Sequence, residues 1–153
     1  MALLLVQHGK NLPKEIDPHK GLSEEGIADV KRIASVAKSY NVRVFCIMHS
    51  GKERARQTAE IFASDLEPAM GVAERSGLNP LDDVVDIAST LDSNDNLMLV
   101  GHLPFMERLT SYLITGSHEK KVFRFQNGGI VCLDVDTDTD SWVIKWSLMP
   151  KIG

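Results

Sequence analysis

The sequence predicts an α/β fold, a three-layer αβα sandwich with a mostly parallel central sheet, in a single domain spanning 1–153. Three observations carry that expectation. Short continuous apolar runs alternate with longer stretches of helical periodicity, as strands buried on both faces and covering helices would. The length, 153 residues, lies near the commonest domain size. No internal repeat, low-complexity segment or long linker divides the chain.

Each element has its own reason. Ala2–Val6 is an uninterrupted apolar run and reads as the first strand. Ser23–Ser39 spaces Ile27, Val30, Ile33, Ala34 and Ala37 at helical period, with Ser23 as N-cap. Val44–Met48 is a second apolar run. Ser50–Phe62 reads as a helix opened by a capping box, Ser50 with Glu53. Ala69–Ala73 is a weakly marked strand, and Pro80–Leu91 reads as a helix with proline in its first turn. Asn96–Val100 is a further buried strand, followed by a helix over Pro104–Ile114. Gly129–Val135 and Trp142–Met149 close the chain as strands joined by the polar turn Asp136–Ser141.

Composition bounds the function. The chain is 43% hydrophobic and 25% charged with net charge −4, which argues against a general nucleic-acid binder but leaves room for a small positive pocket. Cys46 and Cys132 stand far apart in apolar runs, neither a disulfide framework nor a zinc pattern, and read as buried thiols of a reducing compartment. The first apolar run is too short for a signal-peptide core, and no run approaches a membrane span. A soluble, cytoplasmic protein without membrane association is expected.

Ligands of open α/β sheets bind beyond the carboxyl ends of the strands. The first strand ends in Gln7-His8-Gly9, the second in His49-Ser50 before a helix carrying Arg54, and the later one in Gly101-His102 before another helix. Two histidines, an arginine and two helix starts on one edge describe an anion site. A neutral histidine there can attack phosphorus, and a protonated one can stabilise charge on the transferring group. Positive side chains take the place of a metal. His8, His49 and His102 have no carboxylate or cysteine at ligand spacing, so neither metal nor cofactor is expected. "DVDTDTD" lacks the glycine and glutamate of a calcium loop, "GKERA" is no P-loop, and the Ser50 region lacks a nucleophile elbow.

These residues resemble the histidine phosphatase, or phosphoglycerate-mutase-like, superfamily, and within it the small SixA-type phosphohistidine phosphatases. "LLLVQHGK" is similar to the family's opening strand and His-Gly signature, and "GLSEEG" to its Leu-Ser/Thr-x-x-Gly helix start. "HSGKERARQTAEI" aligns Arg54, and not Arg56, with the phosphate-binding arginine. "SGLNPLDD" matches a family loop, and "LMLVGHLPFMERL" the segment of the second histidine. The resemblance implies a phosphoglycerate-mutase-like fold in which His8 accepts the phosphoryl group while Arg54 and His102 bind it. Gln7, Gly9, Ser50 and Lys10 would complete the substrate contacts. The short chain implies an open site, suited to a phosphohistidine on a signalling phosphotransfer domain. The alternatives are a phosphate- or phosphoprotein-binding module without turnover, and a phosphomonoesterase acting on a small phosphate ester.

One position departs from the pattern. The family reads Arg-His-Gly where this chain has Gln7, which keeps an amide donor and loses the charge and the two-pronged fork. Losing one such donor from a transition state costs about 2–4 kcal/mol, roughly 30- to 1000-fold in rate. Lys10 is a candidate to supply the missing charge. Candidate general acids are Glu74 and Asp82, with Asp17 more remote; Gly77 stands where some relatives carry a glutamate. An imidazole leaving group needs no such acid. His49 reads as a supporting or surface residue, and His19, His118 and Arg56 as solvent-facing.

Overall fold

The computed structural model describes residues 1–152. Six strands form one sheet in the order β3-β2-β4-β1-β5-β6: β1 Leu3–Gln7, β2 Cys46–His49, β3 Val72–Glu74, β4 Leu97–Gly101, β5 Ile130–Asp136 and β6 Ser141–Leu148. The pairings β1·β4, β2·β4 and β2·β3 are parallel, whereas β1·β5 and β5·β6 are antiparallel. The sheet is therefore mostly parallel, with an antiparallel hairpin added at one edge. The helices are α1 Glu24–Ser39, α2 Glu53–Leu66, α3 Val84–Ala88 and α4 Phe105–Thr115.

Because successive strand residues face opposite sides, the sheet feeds two cores. Leu4, Val6, Ile47, Met98, Val100 and Cys132 pack under α1 and α2, whose Val30, Ile33, Ala34, Ala59 and Phe62 complete that layer. Leu3, Leu5, Cys46, Leu99 and Val131 pack on the other side with α3, α4, Phe105, Met106 and Leu109. The two thiols thus lie in different layers. The predicted sandwich is the observed one.

Boundaries shift where local polar bonds outrank apolar periodicity. Ser23 caps α1 as expected, accepting from the Gly26 N–H. Ser50 does not cap α2: its N-cap is Lys52, without a side-chain cap bond, and Glu53 instead pairs with Arg56. The helix expected over Pro80–Leu91 shrinks to α3, which spans 5 residues. The Asp82 carboxylate takes the Asn79 N–H and Asp83 caps Val85, so the preceding residues are spent in a turn. β3 begins at Val72 and not at Ala69, because Pro68–Gly71 closes a turn whose carbonyl Pro68 accepts from Gly71 N–H. No helix among the described residues is long and apolar enough to cross a membrane.

Candidate active site

The order β2-β4-β1 places three carboxyl ends side by side. Gln7 pairs with Gly101 in register, and His49 lies opposite Val100. The chain therefore delivers His8, Ser50 and His102 to one edge from segments far apart in sequence. The imidazole rings of His8 and His102 lie 5.0 Å apart, centroid to centroid.

His8 is held on every side. Its N–H donates to the Gly101 carbonyl at 2.9 Å, and its own carbonyl accepts from Asn127 Nδ2 at 2.9 Å. The next N–H, of Gly9, donates to Thr58 Oγ1 at 2.9 Å, and that hydroxyl donates to the Arg54 carbonyl at 2.7 Å. Gly9 itself is required by space: a Cβ there would meet Val30 Cγ2 at 2.8 Å. His8 Nδ1 stands 2.7 Å from the Gly9 carbonyl oxygen. That oxygen only accepts, so Nδ1 carries the proton and Nε2 keeps its lone pair.

Burial holds this imidazole neutral. Its pKa is pushed down to about 4, chiefly by desolvation, with Arg54 and Lys20 adding positive charge nearby and the Gly9 bond opposing. His102 is pushed down to about 3 by desolvation, then by His8, Arg54 and Lys52. Its Nε2 lies 2.6 Å from Ser50 Oγ, while Nδ1 is buried with no partner. An orphaned acceptor is tolerated more readily than an orphaned N–H, so the proton sits on Nε2 and points to Ser50. Ser50, expected as a helix cap, is thus a partner of the second histidine. Burial thus favours neutral His102, and a negative charge beside the ring favours the protonated form expected of it.

Arg54 is half-buried and makes no ion pair among the described residues; desolvation lowers its pKa. An unpaired guanidinium beside two neutral histidines is an anion-binding arrangement. Gln7 is half-buried and its Oε1 is buried without a partner. Lys10 turns away from it: the ammonium pairs with Glu25 at 2.7 Å, and Glu25 also takes Lys151 at 2.8 Å. Arg56 is engaged by Glu53 and Glu60 on the surface.

The carboxylates separate by position. Glu74 ends β3 opposite His49, and its Oε1 lies 2.5 Å from where a Cβ on Gly51 would stand. It therefore borders the Ser50–Gly51 turn. Asp82 is tied to the Asn79 N–H, and Asp17 accepts from the His19 and Gly21 N–H groups, which lower its pKa. His49 is buried, and its Nδ1 accepts from the Gly51 N–H at 3.0 Å, shaping the same turn. His19 is exposed, and His118 is half-buried against Arg108. No cluster of three or more metal-ligating side chains occurs among the described residues. Thr58, Asn127, Lys20 and Lys52 escape sequence reading, since nothing local marks them, although Lys52 and Thr58 stand within a matched stretch.

Solved structures share this fold over nearly the whole chain. A protein histidine phosphatase SixA complexed with tungstate superposes with a TM-score of 0.83, covering 98% of this chain and 97% of that one at 22% identity. Its fold is that of the histidine phosphatases. A protein assigned as the phosphohistidine phosphatase SixA of Agrobacterium tumefaciens has the same histidine-phosphatase fold, with TM-score 0.77, 25% identity and 97% of each chain covered. A mycobacterial glucosyl-3-phosphoglycerate phosphatase superposes at TM-score 0.69 and 15% identity, over 95% of this chain and 97% of that one. Phosphatases named for a protein substrate and for glucosyl-3-phosphoglycerate therefore share this scaffold. No protein-family model matches the chain, and no curated protein matches it in sequence.

Proposed function

We propose that this protein hydrolyses phosphohistidine on a signalling protein through a phosphorylated His8. The observation that carries the reading is the bond from His8 Nδ1 to the Gly9 carbonyl, which leaves Nε2 unprotonated and aimed as a nucleophile beside an unpaired arginine. In the first step Nε2 bonds to phosphorus as the P–N bond to the substrate imidazole breaks. The leaving ring departs neutral when its distal nitrogen already carries a proton, so no enzyme acid is consumed. Water then attacks phosphorus, His8 leaves, and orthophosphate is released. Arg54 and His102, the latter taking a proton from solvent as the phosphoryl dianion binds beside it, hold the equatorial oxygens during both steps. Ser50 steadies His102, and the Gly9 backbone sets the nucleophile.

The names of the SixA neighbours support this substrate class. Glu74 borders the site, and is the donor to test first for an alkoxide leaving group. Gln7 favours the rival reading of a binding module without turnover, because one charged contact is gone.

The test is hydrolysis of a phosphorylated histidine phosphotransfer domain by the purified protein. The natural protein is expected to be active, His8→Ala inert, and Gln7→Arg faster. Inertness of both the natural protein and Gln7→Arg, with phosphate still bound, overturns the enzyme reading in favour of the binding module.

A further inference from the structure

Resting on the phosphatase reading above, we propose that Lys20 is the phosphoryl-binding cation that replaces the arginine missing at position 7. Phosphoryl transfer in a metal-free site needs several positive groups around the equatorial oxygens. Arg54 is one. Gln7 offers at best an amide, and its Oε1 has no donor. Lys10, the nearest lysine in sequence, is neutralised by Glu25.

Lys20 differs from the other lysines in how it is held. It is half-buried and makes no ion pair among the described residues. Its backbone is in the left-handed region, φ 52°, a conformation costly for a lysine unless its surroundings demand it. Asp17 demands it: its carboxylate takes the N–H groups of His19 and Gly21, and its carbonyl takes that of Lys20. The clasped loop is then fixed to α2, where Gln57 Oε1 accepts from the Leu22 N–H at 2.7 Å. Gln57 lies one helical turn from Arg54 on the same face, so the loop runs along the side of α2 that carries the site arginine. The positive charge of Lys20 reaches His8 together with that of Arg54. Lys52 also reaches the site, at His102, but it is exposed on the residue before α2.

An ammonium so placed donates to a phosphoryl oxygen as a point charge, without the bidentate fork of an arginine. The clasp fixes the backbone from which the Lys20 side chain departs, and it occupies the Asp17 carboxylate with two N–H groups.

The experiment is calorimetric titration of orthovanadate, as a phosphoryl mimic, into the natural protein and five variants at fixed ionic strength. Lys20→Gln is expected to weaken binding about tenfold, Lys20→Arg to keep it within about twofold, and Gln7→Arg added to Lys20→Gln to restore it. Lys14→Gln, an exposed charge in the same loop region, is expected to change nothing. Unchanged affinity in Lys20→Gln, or an equal loss in Lys14→Gln, overturns the inference. Arg54→Gln separates the two levels of argument. Vanadate binding that is lost in Arg54→Gln and untouched in Lys20→Gln refutes Lys20 alone, whereas no binding to the natural protein refutes the phosphatase reading with it.

Discussion

At the scale of the residue, one hydroxyl separates two accounts of the second histidine. Ser50 Oγ lies 2.6 Å from His102 Nε2 and only 3.4 Å from the Lys52 N–H. As a helix cap it would support stability, and Ser50→Ala would cost about 1 kcal/mol with turnover unchanged. As the partner of His102 it supports catalysis, and Ser50→Ala is expected to lower kcat by roughly tenfold with little change in the unfolding midpoint. Steady-state kinetics and a denaturant curve on the same sample decide between them. His8, Arg54 and His102 were legible because they end apolar runs or stand in matched stretches. Asn127 was not, since its bond to His8 spans a separation of 119 residues, and Lys20 was not, since the bonds that hold its loop, to Asp17 and Gln57, form only in the fold.

Among the elements, α1 brings its backbone directly against the loop after His8 at Gly26. A Cβ on Gly26 would stand 2.1 Å from the Lys10 carbonyl oxygen, two residues beyond His8, and backbone cannot yield as a side-chain tip can. Gly26→Ala is therefore expected to push α1 from the loop, destabilise by about 1–3 kcal/mol, and lower kcat as well. Denaturant midpoints with kcat from the same preparation test this; a stability loss with kcat intact would show that the loop holds without the helix. The element order itself was readable from alternation, including both strands of the closing hairpin. The length of α3 was not. Apolar spacing over Pro80–Leu91 satisfies helical period, yet Asp82 and Asp83 spend their carboxylates on nearby N–H groups and delay the helix to Val84.

Across the whole molecule, two buried neutral histidines make folding sensitive to acid. Both have folded pKa values below the ordinary 6.5, about 4 for His8 and about 3 for His102. The unfolded chain binds protons there first, so stability is complete above pH 6.5 and falls as pH drops through the interval down to these values. The pair titrates together, and a combined loss of a few kcal/mol is expected. Thermal melting between about pH 7 and 4 should show a slope that flattens in His102→Gln and in the presence of vanadate, which favours protonated imidazole. Parallel melting profiles in all three would count against neutral histidines in the folded state.

The two-core architecture has one more consequence. Cys46 and Cys132 are both buried free thiols, on opposite sides of the sheet, and burial pushes Cys132 up to about 11. A thiol reagent attacks the thiolate, so the native molecule is silent to alkylation at either site. Each cysteine is expected to react when its own layer of the core opens. The protein thus contains two independent clocks for local opening, one timing the α1–α2 side and the other the α3–α4 side. Peptide-resolved labelling rates read from a single sample would rank the mobility of the two halves without any introduced probe.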